Sequence, residues 1–309
     1  MSKYFVELSP KDTSKLIIGH ATNNNYESID RKIRCEDIYQ DNIVGNLYTV
    51  NDDKGQIMIV IGGGDGNYKW TKKIAEGFAI NGINTFSCAY WNEKTLPKSL
   101  NCIPVEYLKD VKNYLKSRGY EKIGIWGISK GAEYILLTQS LLNCFDFLIA
   151  VSPIDYCLEG ISKNDTPTNN SSWSYGGEPV SYLKRENKKL KLLVNCILKR
   201  ELNMKYRYEK ALNNKNELAR IKTENIKCPT LLLSSSEDSM WGSRDACLRI
   251  QSTNKNIKHI NYEYGSHVLI PLNFNIEKIA FKIARKKKIE YQESKIQSTN
   301  DILKFINNL

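Results

Sequence analysis

Ser129 lies in the pentapeptide Gly127-Ile128-Ser129-Lys130-Gly131, with a glycine two positions away on each side. A serine hydroxyl is a poor nucleophile at neutral pH. It needs a base to take its proton and a third group to orient that base. The glycines have a mechanical reason, because a sharp turn that lifts a nucleophile out of the chain leaves no room for side chains at its second neighbours. Three histidines are available as the base: His20, His259 and His267. His20 falls in a polar leader and His259 inside a predicted strand, where it fills an ordinary position on one face. His267 follows Gly265-Ser266, just past a predicted strand end, and is the candidate base. The orienting carboxylate should come from Ser235-Ser236-Glu237-Asp238-Ser239-Met240-Trp241, which offers Asp238 and Glu237. Attack on a carbonyl also leaves a negative oxygen that N–H groups must meet. The backbone N–H of Lys130 is one candidate donor and that of Gly64, in Gly62-Gly63-Gly64-Asp65-Gly66, is the other.

The elements around these residues must bring them to one place. Ile57 to Ile61 is a continuous apolar run, as suits a strand buried on both faces, and it ends at the glycine cluster. That cluster lacks the Gly-Lys-Ser/Thr ending of a phosphate loop, and Asn67 stands where a dinucleotide fingerprint needs its third glycine. Strands are also expected at Arg31 to Tyr39, Ile43 to Val50, Asn84 to Tyr90, Lys122 to Trp126, Phe147 to Val151, Thr230 to Ser234 and Lys258 to Tyr264. Residues 51–55 read as a hairpin-like turn. Helical spacing predicts helices over Tyr68 to Ala79, Pro104 to Arg118, Ala132 to Leu142 and near Arg244 to Gln251, with one or two basic helices between Asn275 and Leu309. Alternating strands and helices imply a mostly parallel sheet covered on both faces, and open α/β sheets place their sites at the carboxyl ends of strands. Ser129, Asp238 and His267 each fall at such an end, in the chain order of the α/β-hydrolase fold.

Composition sets the frame. The chain has 309 residues, 41% hydrophobic and 26% charged, enough for one α/β domain with a sizeable core. Its net charge of +11 comes mostly from scattered lysines, with one compact cluster at Arg285 to Lys288, and gives no ground for a nucleic-acid partner. Eight cysteines without Cys-x-x-Cys spacing read as buried reduced thiols. No metal-ligand motif such as His-Glu-x-x-His is present, no cofactor is expected, and no run of 18 apolar residues suggests a membrane span, so a cytoplasmic protein is expected. Residues 1–30 read as a polar leader and 31–309 as the α/β domain. An insertion at about 155–227, including apolar residues at helical spacing from Leu190 to Leu198, reads as a helical lid over the site.

Four stretches together resemble a known family: Gly124 to Glu133, Leu96-Pro97-Lys98 with Ile103 to Tyr107, Ser172-Trp173-Ser174-Tyr175-Gly176-Gly177-Glu178-Pro179, and Glu237 to Trp241. They look like the C-terminal catalytic domain of acyl-CoA thioesterases and bile acid-CoA:amino acid N-acyltransferases, from about Arg31 onward. The resemblance favours Asp238 as the acid, since the loop then reads Asp-x-x-Trp. It implies a serine hydrolase acting on a small-molecule acyl ester or thioester, with related dienelactone hydrolase-like and esterase-like enzymes alongside. The family's acyltransferases use cysteine where this chain has Ser129, which looks more like the hydrolytic members. Eukaryotic members carry a β-sandwich domain ahead of the catalytic one, and residues 1–30 are too few to form it. Acyl transfer to an amine or alcohol, peptide or carboxylester cleavage by the same residues, and a hydrolase fold used only for binding are the other readings. Basic stretches at Lys184 to Lys191 and Arg285 to Lys288 could meet CoA phosphates or an anionic surface.

Overall fold

A strand buried on both faces needs apolar residues at successive positions, and Ile57 to Ile61, Ile123, Ile125, Trp126 and Leu231 to Leu233 are all wholly inaccessible to solvent. In the computed structural model, the described residues are 3–6, 33–40, 42–50, 52–162, 166–186, 203–213, 216–270 and 288–309. In chain order they form β1 (Lys3–Val6), β2 (Ile33–Gln40), β3 (Ile43–Val50), β4 (Gln56–Ile61), α1 (Tyr68–Ile80), β5 (Thr85–Ala89), β6 (Ile103–Pro104), α2 (Glu106–Ser117), β7 (Lys122–Ile128), α3 (Lys130–Leu142) and β8 (Leu148–Val151). These are followed by β9 (Glu159–Ile161), β10 (Pro167–Ser171), β11 (Trp173–Tyr175), β12 (Glu178–Pro179), α4 (Tyr206–Asn213), β13 (Thr230–Ser235), α5 (Ser243–Thr253), β14 (Ile257–Tyr262) and α6 (Lys288–Asn307).

The main sheet has the order β1-β2-β3-β5-β4-β7-β8-β13-β14. Its first three strands run antiparallel, β3 pairs antiparallel with β5, and every pairing from β5 to β14 is parallel. Alternation along β4 divides the core. Ile57, Ile59 and Ile61 join the cluster that holds Val111 of α2, Ile135 of α3 and Ile250 of α5. Met58 and Val60 join the cluster that holds Phe78 of α1 and Ile302 of α6. This α/β-hydrolase arrangement puts the ends of β4, β7, β8, β13 and β14 along one edge.

Several expectations change. Residues 52–55 do not close a hairpin between β3 and β4, because β5 lies between those two strands; a parallel crossover through α1 places it there. Ile103-Pro104 is a short strand rather than the start of a helix, since it pairs in parallel with Trp173-Ser174. The described part of the insertion adds short strands that were not expected beside its helix α4: β9 pairs with β10, and β11 joins β12 and β6. The predicted helical run Leu190 to Leu198, His20, Cys196, Arg285 to Lys287 and residues 187–191 lie outside the described residues. β1 falls within the stretch read as a polar leader. The other seven cysteines are free thiols, with Cys88, Cys157 and Cys247 buried and the remaining four partly exposed. Among the described residues, no helix is long and apolar enough to cross a membrane.

Candidate active site

Strand β7 ends at Ile128 and helix α3 begins at Lys130, so Ser129 alone makes the turn, with φ +59° and ψ −122°. A non-glycine residue is rarely held at positive φ unless its surroundings enforce it. Here the Ser129 N–H donates to the Val151 carbonyl at 3.0 Å, and the Ser129 carbonyl accepts from the Glu133 N–H at 3.0 Å. The flanking glycines are sterically required. A Cβ on Gly127 would lie 2.7 Å from the Gly131 carbonyl oxygen, and one on Gly131 would lie 2.3 Å from that of Gly62. The glycine cluster after β4 therefore presses directly on the serine turn. Gly63 abuts Ser129, its missing Cβ falling 3.5 Å from Ser129 Cβ and 3.9 Å from Oγ, whereas Gly64 backs on Lys130. Gly63 was not singled out from sequence, because three adjacent glycines carry no mark of which one faces Ser129.

Asp238 follows β13 and His267 follows β14. The His267 Nδ1–H faces both carboxylate oxygens of Asp238, at 3.0 and 2.9 Å. Asp238 Oδ1 also accepts the N–H groups of Met240 at 2.8 Å and Trp241 at 3.3 Å, which hold the carboxylate in one orientation. Both residues are buried, Asp238 at 1% and His267 at 4% exposure. Trp241 stands edge-on to the His267 ring at 5.0 Å, and its indole N–H donates to the Ser152 carbonyl. Ser152 Oγ in turn donates to the His267 carbonyl at 2.8 Å. Val151 and Ser152, at the end of β8, thus hold the serine turn through one residue and the histidine loop through the next. His259 lies in β14 with its Nε2 2.8 Å from Ser234 Oγ, away from this cluster in sequence and strand position.

The Lys130 side chain folds inward. It is 3% exposed and its Nζ donates to Glu133 at 2.7 Å, Glu133 being wholly buried. The other Glu133 oxygen accepts the Leu158 N–H at 2.8 Å and the Trp173 indole N–H at 2.6 Å. Trp173 stacks on Tyr134 with centroids 4.3 Å apart, and Lys130 Nζ stands 5.1 Å from the Trp173 ring centre. Burial is the main influence on both ions, lowering the Lys130 pKa and raising that of Glu133, while each partner opposes the shift of the other. Sequence reading passed over Glu133, because a Lys and a Glu three apart on a helix ordinarily mark a solvated face. The missed signal was the apolar character of the remainder of α3, which is buried from Lys130 to Ser140.

A model of the family described as BAAT / acyl-CoA thioester hydrolase C terminal matches residues 103–292, more than half of the chain. The chain belongs to this family. Among curated relatives, the mitochondrial acyl-coenzyme A thioesterase 2 of Mus musculus is 38% identical over 86 residues, covering 27% of this chain and 18% of the relative. The Homo sapiens enzyme of the same name is 35% identical over 89 residues, covering 28% and 17%. The peroxisomal succinyl-coenzyme A thioesterase of Mus musculus is 31% identical over 96 residues, covering 30% and 21%. The chain thus aligns with about a fifth of the length of these relatives. A putative dienelactone hydrolase from Klebsiella pneumoniae superposes with a TM-score of 0.53 at 11% identity, over 90% of this chain and 99% of that one. Acylaminoacyl peptidase from Pyrococcus horikoshii gives 0.53 at 13% identity, over 90% and 41%. Both share the α/β-hydrolase fold.

Proposed function

We propose that this member of the family is a serine hydrolase that cleaves an acyl thioester or ester, with acyl-CoA as the substrate class the family favours. The reading rests on one observation: a strained serine turn pressed against a glycine loop, at the sheet edge where a buried histidine meets a buried aspartate. In this scheme Ser129 Oγ attacks the acyl carbonyl while its proton passes to His267 Nε2. Asp238 keeps the other ring nitrogen protonated and steadies the imidazolium that forms. The tetrahedral oxygen is met by the Lys130 N–H and by an N–H of the glycine loop, Gly63 or Gly64. Collapse expels the thiolate or alkoxide, which takes the proton from His267. Water then enters, gives a proton to His267 and attacks the acyl-enzyme; release of Ser129 Oγ recovers that proton and frees the acid.

Replacing Ser129 by Ala tests this with a panel of acyl-CoAs and p-nitrophenyl esters, together with labelling by a fluorophosphonate. The variant should lose both turnover and label. Wild-type rates in Ser129→Ala would rule the scheme out. Product analysis by mass spectrometry, with and without added amino acids, separates hydrolysis from transfer to an amine.

A further inference from the structure

Three consecutive glycines are an unstable platform for hydrogen-bond donors, because glycine peptides rotate with little steric cost. Gly62-Gly63-Gly64 is held from the core side by one hydroxyl. Tyr90, the residue after β5, is 4% exposed, and its phenol lies 2.9 Å from the Gly63 carbonyl oxygen and 3.2 Å from that of Gly62. Burial raises the Tyr90 pKa well above its ordinary value, so the hydroxyl stays protonated and serves as a donor. The ring is braced by Tyr134 at 5.3 Å and Trp173 at 6.1 Å between centroids. Further along the loop, the Asn92 side-chain amide donates to the Gly66 carbonyl at 3.0 Å.

A trans peptide is planar, and its C=O and N–H point in opposite directions. The Gly62 carbonyl shares a peptide with the Gly63 N–H, and the Gly63 carbonyl shares one with the Gly64 N–H. Drawing both oxygens toward Tyr90 therefore turns both N–H groups away from it, on a loop whose Gly63 also abuts Ser129. We infer that Tyr90 is a positioning residue for this reaction: it fixes the peptide planes of the glycine loop so that their N–H groups face the developing oxyanion. The inference builds on the serine-hydrolase reading and adds a side chain that never touches substrate.

Tyr90→Phe keeps the ring and its stacking and removes the oxygen alone. The expected result is a fall in kcat of roughly 10- to 100-fold, smaller than the roughly 100- to 1000-fold cost of removing one oxyanion donor outright because the N–H groups are misaligned and not deleted, with KM changed less than about threefold. Affinity for a trifluoromethyl ketone, whose adduct mimics the tetrahedral state, should fall in parallel with kcat/KM. Tyr134→Phe, which removes a hydroxyl bonded to the Pro104 carbonyl from the same aromatic stack, should keep wild-type rates. The melting midpoint of each variant reports whether the fold is intact. A Tyr90→Phe enzyme with wild-type kcat and undiminished ketone affinity would overturn the inference while leaving an inactive Ser129→Ala, and the reading beneath it, standing. Turnover that survives Ser129→Ala would overturn both.

Discussion

Replacing Glu133 by alanine should destabilise this protein strongly, and in a way that depends on pH. The side chain accepts hydrogen bonds from Lys130 Nζ, the Leu158 amide and the Trp173 indole, and all four residues are buried. Without the carboxylate, Lys130 must stay charged in an apolar site or give up its proton. Deprotonation sets the upper limit, because at pH 7 it costs about 1.4 kcal/mol for each unit below the unfolded lysine value, which is 10.5. That bound is about 5 kcal/mol, close to the ~3–5 kcal/mol typical of breaking a buried pair. Two orphaned N–H groups add about 1–3 kcal/mol each unless water enters. A loss of at least about 4 kcal/mol is expected, which lowers the melting midpoint by roughly 8 °C or more. The lone lysine has a folded pKa below its unfolded one, so the unfolded chain binds the extra proton. The deficit is therefore largest below the lowered folded pKa and shrinks as pH rises toward 10.5. Glu133→Gln keeps an acceptor for Leu158 and Trp173, and Lys130→Met added to it removes the stranded charge, so this double variant should recover most of the loss. Urea unfolding at pH 7 and pH 9.5 measures all three. A Glu133→Ala protein within about 1 kcal/mol of wild type, or a double variant no better than Glu133→Gln alone, would refute the reasoning.

Two further outcomes are expected. Gly131→Ala drives a Cβ to 2.3 Å from the Gly62 carbonyl oxygen and 2.9 Å from Ile61 Cγ2. Backbone must shift, so stability should fall by about 1–3 kcal/mol and turnover should fall with it as the glycine loop moves off Ser129; an alanine tolerated in both assays would contradict the close approach. His259 is half-buried, and burial, aided by Arg244, lowers its pKa below 6.5. The unfolded chain then takes the proton first, so this contribution is present above pH 6.5 and is lost as pH falls through 6.5 toward the lower folded value. Denaturation at pH 7.5 and 5.5 should show a larger drop for wild type than for His259→Gln, and equal drops would count against the assignment.

The main sheet was legible because its central strands are apolar at successive positions, and the helices on its faces because their apolar residues recur at helical spacing. The elbow could be read from two glycines around Ser129, each of which has a backbone atom where a side chain would go. His267 was found from its place after β14; the place after β13 offered Glu237 and Asp238, the family resemblance favoured Asp238, and in the structure the Asp238 and His267 side chains meet. The insertion was harder: β9, β11 and β12 are two or three residues long, too short for any periodicity to show. Their partners are also remote in sequence, as with Trp173 beside Ile103. The position of β5 between β3 and β4 likewise depends on a crossover, which no local pattern records.

The Glu133 carboxylate is shared between the helix that follows Ser129 and two residues of the insertion, Leu158 and Trp173. That sharing limits how the chain can be recombined. A chimaera that takes its insertion from another family member, but lacks an indole at the Trp173 position, would leave this buried carboxylate with the Leu158 N–H and Lys130 Nζ but one donor short, close behind the elbow. The natural unit of exchange therefore crosses the apparent boundary of the insertion: Lys130, Glu133 and Trp173 must travel together.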